Sequence, residues 1–196
     1  MSKQRKMSPS SFLLFFLTII LCSFNQFVDA NHLIQQTCKN CSKNDPNISY
    51  KFCTTSFQSD RRSQCAQNLE ELGLISIKIT RHNVTNTCDY IKDLLKKKDK
   101  DPFIKECLND CLDVYSDAIT TFREAIRDYK AKRYEDCNFK LSSIIDASTT
   151  CEDGFKQKND VTSPLTKRNK NVFQLSAIAL SIVNMLNVDK LNDGTL

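Results

Sequence analysis

The sequence predicts an all-α protein, in which an up-and-down helical bundle follows an N-terminal helical hairpin and is stabilised by disulfides. Apolar residues recur at helical spacing along most of the chain. Three proline residues directly follow residues that cap helices well. Strand patterns are nearly absent, and the 196 residues include ten cysteines but only three glycines.

Residues 1–30 have the pattern of a secretory signal peptide. Basic residues precede the apolar run Phe12–Phe24, and Val28 and Ala30 supply the apolar and small residues expected before a cleavage point. We therefore expect cleavage after Ala30 and a secreted product. No later segment approaches the roughly 20 apolar residues that span a bilayer, so no membrane contact is expected after cleavage.

The charge of the chain does not indicate nucleic acid as a partner. Its 28 basic and 23 acidic side chains give a formal net charge of +5. This excess of positive charge is too small to indicate binding to nucleic acid. The residues after the leader suffice for one domain with its own core. We expect an N-terminal hairpin over 31–57, a helical bundle over 58–188 and a tail over 189–196.

Three dipeptides predict the starts of helices: Asp45-Pro46, Asp101-Pro102 and Ser163-Pro164. Proline at the first helical position loses no intrahelical hydrogen bond, and Asp or Ser before it can accept hydrogen bonds from the exposed amides.

Apolar stripes with steps of three and four residues predict five helices that face a core. In chain order they run from Leu69 to Ile79, Cys88 to Leu95, Ile104 to Tyr129, Cys137 to Phe155 and Val172 to Met185. Predicted boundaries fall near residues 80–84, 99–101, 131–133 and 157–163. Connections this short favour antiparallel neighbours.

The segment 31–57 predicts two short helical pieces joined through residues 40–44, as a hairpin or arm. Gly73 lies inside a predicted helix, where glycine costs about 1 kcal/mol relative to alanine. Close approach of another helix would explain a glycine at that position.

The cysteines after the leader are an odd number, so at least one cannot pair within the chain. They are Cys38, Cys41, Cys53, Cys65, Cys88, Cys107, Cys111, Cys137 and Cys151. Secretion favours disulfides. Cys38 and Cys53 close the N-terminal segment, and Cys111 and Cys151 lie at comparable heights on two antiparallel helices. The pairing of the other five stays open.

Candidates for catalysis or metal binding are few. Cys38 and Cys41 form a CxxC, but two further zinc ligands and the βαβ context of a redox motif are missing, so a structural disulfide is the better interpretation. The histidines His32 and His82 do not lie near a nucleophile motif. We predict no catalytic residues, no metal and no cofactor.

Three sequons are candidate glycosylation sites, at Asn40, Asn47 and Asn83. Asn83 is expected in a turn between helices and is therefore the preferred acceptor. A disulfide at Cys41 would make Asn40 the weakest.

The predicted turn at residues 131–133 is the candidate partner-binding site. Lys132, Arg133 and Tyr134 place two cations and an aromatic side chain at the tip of a long helical hairpin, and Arg and Tyr are favoured in binding hot spots. An ordinary basic helix end is an equally simple explanation.

Several segments of this chain resemble the plant invertase and pectin methylesterase inhibitor family. They are Ile34–Cys38 (IQQTC), Pro46–Cys53 (PNISYKFC), Leu108–Ala118 (LNDCLDVYSDA), Thr150–Phe155 (TCEDGF) and Gln174–Leu186. The resemblance extends over residues 31–188. It is greatest for the branch of the family that contains a plane-tree pollen allergen described as an invertase inhibitor.

The resemblance implies a four-helix bundle with an N-terminal hairpin, and disulfides that join Cys38 to Cys53 and Cys111 to Cys151. Cys41, Cys65, Cys88, Cys107 and Cys137 depart from the four-cysteine pattern of the family, so further bridges or dimerisation stay open. Invertase inhibitors of the family insert a Pro-Lys-Phe tip into an acidic active site. The matching segment here is Lys132-Arg133-Tyr134, which lacks the proline.

We therefore predict a non-enzymatic inhibitor that acts in the apoplast or cell wall. The expected partner is a cell-wall or vacuolar acid invertase, with Arg133 meeting carboxylates of the active cleft and Tyr134 packing on its rim. The alternatives are a pectin methylesterase as the target, or an extracellular structural or signalling bundle without an enzyme target. The oligomeric state, monomer or dimer, stays undecided.

Overall fold

The computed structural model describes residues 29–97, 101–192 and 194 of the chain. The predicted signal peptide lies almost wholly outside these residues. Six α-helices are present in the described part: α1 over 29–44, α2 (Tyr50–Gln58), α3 (Leu69–Leu95), α4 (Pro102–Lys130), α5 (Tyr134–Phe155) and α6 (Thr166–Asn192). A short 3-10 helix, Ser63–Cys65, precedes α3.

Helices α3 to α6 form an up-and-down four-helix bundle. Each helix packs against two others, in the cyclic order α3, α4, α5, α6 and back to α3. The buried stripe of α4 contains Cys111, Tyr115, Phe122 and Tyr129, as its helical periodicity predicts. The all-α prediction is confirmed.

The pair α1 and α2 forms an arm that packs on the bundle. The disulfide Cys38–Cys53 joins the two helices, with 5.6 Å between the Cα atoms. Ile34 and Phe57 of the arm share a second apolar core with α3 and α6. The helices of the arm are joined through residues 45–49, so the predicted junction at 40–44 is wrong, because α1 continues through those residues.

The predicted boundary near residues 80–84 is also wrong, because α3 runs through it without a break. Thr80 and Val84 are buried and continue the apolar face of the helix. The threonine hydroxyls in this part of α3 are satisfied within the helix, since Thr80 donates to the Ser76 carbonyl at 2.8 Å and Thr87 donates to the Asn83 carbonyl at 2.9 Å. The five predicted core helices are therefore four.

The capping predictions differ in outcome. Asp101 caps α4 by accepting from the Phe103 amide at 2.8 Å, with Pro102 as the first helical residue, as predicted. Ser163-Pro164 precedes α6 by two residues. Asp45-Pro46 does not begin a helix: Asp45 accepts from the Asn47 amide in a turn, and Ser49 caps α2 instead.

Helix α6 is buried on two sides. Val172, Ala179 and Val183 lie in the core of the bundle, whereas Ile178 and Ile182 lie in the core shared with the arm. It is the one described helix long and apolar enough to cross a membrane, contrary to the prediction that no later segment approaches this limit. Half of the apolar window is buried inside the protein, as expected of a helix packed on both sides.

The C-terminal boundary also differs from the sequence prediction. Residues 189–192 continue α6, although they were expected to begin a tail. Lys190 at this end of the helix donates to the Lys132 carbonyl of the α4–α5 connection at 3.4 Å.

Gly73 lies where α3, α4 and α6 approach one another. A Cβ atom at this position would overlap the Tyr129 hydroxyl and come within 2.9 Å of Ile182. That hydroxyl donates to the Glu70 carbonyl at 2.7 Å. The close approach expected from the sequence is therefore present, and it explains why a poor helix former stands in the middle of a helix.

We expect Gly73→Ala to lower the free energy of unfolding by about 1 to 3 kcal/mol, because overpacking outweighs the gain in helix propensity. Urea denaturation followed by circular dichroism measures the change. Gly154→Ala in α5 is the matched control: its Cβ would meet nothing within 4 Å, so it should raise stability by about 0.5 to 1 kcal/mol. Equal effects of the two substitutions would contradict the packing explanation.

A second disulfide joins α4 to α5. Cys111 and Cys151 are bridged with 4.8 Å between their Cα atoms. The other five cysteines of the described residues are unbridged, and of these Cys65 is exposed while Cys41, Cys88, Cys107 and Cys137 are buried. The two cysteines of the CxxC do not pair with each other, since Cys38 binds Cys53. No cluster of three or more potential metal ligands occurs among the described residues.

The free thiols should differ sharply in reactivity. Burial raises the pKa of the Cys41, Cys88 and Cys107 thiols, and raises that of Cys137 to about 12, so little reactive thiolate forms near neutral pH. We expect one equivalent to react with Ellman's reagent in the folded protein at pH 8, and four more after denaturation in guanidinium chloride. Cys65→Ser should abolish the fast reaction. A rapid reaction that persists in this variant would refute the assignment.

Candidate functional site

The α4–α5 connection is a tight turn formed by residues 131–133. Lys132 has a φ of 56°, in the left-handed region. Its amide donates to the Tyr129 carbonyl at 2.9 Å, and the Arg133 amide donates to the Asp128 carbonyl at 2.9 Å. This is the Schellman pattern that closes helix C-termini, usually with glycine at the left-handed position. The tip therefore has a defined backbone conformation.

A buried carboxylate ties the tip to the bundle. Asp128 is only 2 % exposed, and it accepts from Lys140 of α5 at 2.6 Å and from the Arg133 guanidinium. The ammonium of Lys140, followed by the Arg133 guanidinium, holds the pKa of the Asp128 carboxyl below its usual range. A charge buried in this way is stable only with such partners.

The predicted binding cations are exposed but paired. The Arg133 side chain is 49 % exposed and also forms an ion pair with Asp136 at 3.2 Å. Lys132 forms an ion pair with Glu70 of α3 at 3.2 Å. The tip is therefore less positive than the sequence alone indicates. Exposed pairs such as Lys132 with Glu70 are weak, so this lysine can exchange partners at small cost.

The predicted role of Tyr134 on the rim of a partner is wrong. Its side chain is 4 % exposed and packs edge-on against Tyr129, with 5.5 Å between the ring centroids. As the first residue of α5, Tyr134 closes the top of the bundle core. Its aromatic ring is therefore part of the bundle core.

Sequence reasoning missed the aromatic side chain that is available near this end of the bundle. Phe139, five residues along α5 from Tyr134, is 78 % exposed. Val188 and Leu191, close to the C-terminal end of α6, are exposed as well. The signal was present, because Phe139 falls off the stripe formed by Cys137, Leu141 and Ile144.

The structure places the three sequons in different surroundings from those predicted. Asn83 is half-buried in the middle of α3, so the interhelical turn that favoured it does not exist. Asn40 is exposed on α1, and Asn47 is exposed in the connection between α1 and α2. Of the three, Asn47 is the one on a non-helical segment. Glycosylation at these sites stays a prediction.

The chain matches the family model described as plant invertase/pectin methylesterase inhibitor over residues 32–182. It is 41% identical over 170 residues to a Platanus orientalis protein with the name "Putative invertase inhibitor", which covers 87% of this chain and 98% of that protein. It is 35% identical over 171 residues to pectinesterase inhibitor 12 of Arabidopsis thaliana, and this alignment covers 87% of this chain and 97% of that protein.

A solved structure of a pectin methylesterase inhibitor is similar to this chain as well. The crystal structure of a mutant form of a pectin methylesterase inhibitor from Arabidopsis superposes with a TM-score of 0.61 at 26% identity, covering 69% of this chain and 89% of that one. The fold therefore defines a disulfide-bridged helical bundle of the inhibitor class. The chain belongs to the plant invertase/pectin methylesterase inhibitor family, whose members are inhibitors of enzymes rather than enzymes.

The charge of Asp128 should stabilise the fold in a pH-dependent way. Because its pKa is lowered in the folded state, the stabilisation is present above the unfolded pKa of about 3.9 and is lost as pH falls through the folded value. We expect Asp128→Asn to lower the free energy of unfolding by about 1 to 3 kcal/mol at pH 6 to 7. The difference from wild type should shrink as the pH falls below about 4, and it should be lost only below the lowered folded pKa of Asp128, where the carboxyl group is neutral in both states.

Urea denaturation at a series of pH values tests this expectation. Asp146→Asn is the control, since Asp146 lies exposed on the same helix as Lys140 and forms no ion pair among the described residues. It should change stability by less than about 0.5 kcal/mol at every pH. A loss for Asp128→Asn that is the same at pH 3 and pH 7 would contradict the buried ion pair.

Proposed function

We propose that this protein is a secreted inhibitor of a plant cell-wall carbohydrate-active enzyme, with acid invertase as its target, and that it acts by occluding the active cleft in a stoichiometric complex. Family membership supports the inhibitory class. The relative from Platanus orientalis, at 41% identity, is named as an inhibitor of invertase and supports the choice of target.

The observation that carries this proposal is the ordered tip of the α4–α5 hairpin, which presents the half-exposed Arg133 side chain. Asp128 holds the Arg133 side chain by one terminal nitrogen. The other terminal nitrogen of the guanidinium has no partner among the described residues, so its N–H groups can donate to carboxylates of a target. Arg is suited to this task because its planar fork matches carboxylate geometry.

Binding at the tip requires little rearrangement of the inhibitor. The Schellman turn fixes the backbone, the Cys111–Cys151 bridge ties α4 to α5, and Asp128 fixes the arginine. Side chains ordered before binding lose less entropy in the complex, which improves affinity. Lys132 has to exchange Glu70 for a carboxylate of the target, and Phe139 is the exposed aromatic side chain that can pack on the rim.

Secretion and placement in the apoplast or cell wall are part of the same proposal. Two disulfides in the structure are typical of proteins from an oxidising compartment. The apolar run at residues 12–24 has the composition of a signal peptide.

Pectin methylesterase is the alternative target, and two observations favour testing it in parallel. Pectinesterase inhibitor 12 is 35% identical to this chain, and the tip lacks the proline expected of invertase inhibitors while pairing its cations with acids of its own chain. Titration of the purified protein into acid invertase, and separately into pectin methylesterase, at mildly acidic pH distinguishes the two. Loss of one activity near equimolar protein assigns the target, and loss of neither refutes the inhibitory proposal.

We expect Lys132→Ala combined with Arg133→Ala to weaken the inhibition of invertase about tenfold or more, because both charges facing the cleft are removed. Inhibition by wild type should also weaken as salt screens the pairing. Inhibition constants from steady-state kinetics provide the measurement. Tyr134 is left unchanged, since removing a buried aromatic ring would destabilise the core by about 3 to 5 kcal/mol.

The control is the double variant Lys105→Ala and Lys167→Ala. Both lysines are exposed away from the tip, and neither forms an ion pair within the part of the chain that the structure describes. It removes the same net charge, so it should inhibit as wild type does. Full inhibition by the tip variant would exclude this surface as the binding site.

A further inference from the structure

A second surface carries a denser set of cations than the tip. A groove between α3 and α4, here called the basic groove, is lined by Arg62, Lys78, Arg81, His82, Thr85, Ile126 and Lys130. No acidic side chain lines it. The groove shares no lining residue with the pocket that contains Arg133, which is lined by the α4–α5 connection, α5 and α6.

The basic groove follows from helical spacing. Lys78, Arg81, His82 and Thr85 stand at positions i, i+3, i+4 and i+7, which share one face of a helix. Ile126 and Lys130 stand one turn apart on α4. The sequence therefore places its cations in line along one side of α3, and the bundle adds a cation from the neighbouring helix.

Three of these cations are not neutralised by an ion pair within the described part of the chain. Arg62 pairs with Asp60, whereas Lys78, Arg81 and Lys130 form no ion pair with any acid of the described residues. Elsewhere on the surface, Lys92, Lys96 and Lys156 pair with an aspartate three residues away on their own helix. Exposed lysines such as Lys105 and Lys167 also form no ion pair among the described residues, but they do not line the groove. The groove is therefore distinguished by having three unpaired cations side by side. Like charges three or four residues apart destabilise a helix, so an external anion would relieve repulsion in the groove.

We propose that the basic groove binds a linear polycarboxylate, namely de-esterified pectin (polygalacturonate), and so retains the inhibitor on the cell-wall matrix. The proposal rests on the cell-wall location proposed above. Removal of methyl esters from pectin leaves a polymer of regularly spaced carboxylates, which complements a row of unpaired ammonium and guanidinium groups.

The lining favours a polyanion over an acidic protein surface. The described lining of the groove contains no Phe, Tyr or Trp, and its one aliphatic residue is Ile126. The centres of protein interfaces are enriched in aromatic residues and depleted of lysine. A row of cations without an apolar anchor instead suits a ligand held by charge, whose binding falls steeply with salt.

Retention of the full-length secreted protein on immobilised polygalacturonate, with a sodium chloride gradient, tests the proposal. The groove variant is Lys78→Ala, Arg81→Ala and Lys130→Ala. The control variant is Lys39→Ala, Lys105→Ala and Lys167→Ala, which removes the same charge from exposed lysines elsewhere. Circular dichroism establishes that both variants are folded. Affinities for soluble polygalacturonate are measured by calorimetry at low salt.

We expect wild type and the control variant to bind polygalacturonate, with affinities within about threefold of each other, and the groove variant to bind about tenfold or more weakly. Highly methyl-esterified pectin, which carries few charges, should not be retained. Equal losses for the two variants, or equal retention of esterified pectin, would overturn the proposal. A third outcome would also overturn the proposal: wild type shows no affinity for polygalacturonate, and the groove variant no longer inhibits the target enzyme. The groove would then be a contact with that enzyme.

The enzyme assay is independent of this measurement. If wild type inhibits neither invertase nor pectin methylesterase but the groove still determines binding to polygalacturonate, the proposed function fails and the polysaccharide site stands. If wild type inhibits an enzyme and is not retained on polygalacturonate, only the polysaccharide site fails.

Discussion

The burial of α6 on two sides is the constraint on which the rest of the structure depends. One side completes the four-helix bundle through residues such as Val172 and Val183, and the other side receives the arm through Ile178 and Ile182. Polar groups on the same helix are used as well, since Gln174 accepts from the Ser49 amide at 3.0 Å. Both cores lose one wall if this helix moves, so the arm and the bundle are held as one unit.

The tip of the α4–α5 hairpin depends on that unit for its order. Asp128 can stay charged inside the protein only because α5 brings Lys140 to it and the turn brings Arg133. The same turn buries Tyr134 and leaves the guanidinium half exposed. The two neighbouring side chains thus differ in environment: Tyr134 closes the core, while Arg133 next to it faces solvent.

Positive charge is distributed in two different ways on this surface. At the tip the cations are balanced by Glu70, Asp128 and Asp136, which gives a fixed geometry with little net charge. In the basic groove, Lys78, Arg81 and Lys130 have no such partners among the described residues, which gives net charge without a fixed geometry. The first arrangement suits a single specific complex, and the second suits a repetitive anionic polymer.

The sequence by itself determined the helical class, the start of α4, the end of α4 near residue 130, and the two pairs of cysteines that face each other. These features depend on residue spacing and helix capping, which can be read from the sequence directly. Only the tertiary structure decided that α3 is continuous, that Tyr134 is buried and Phe139 exposed, and that Arg133 is anchored by Asp128. Those outcomes depend on contacts between helices. Residues distant in sequence supply the packing surface for each ring and the counter-charge for each ionised group.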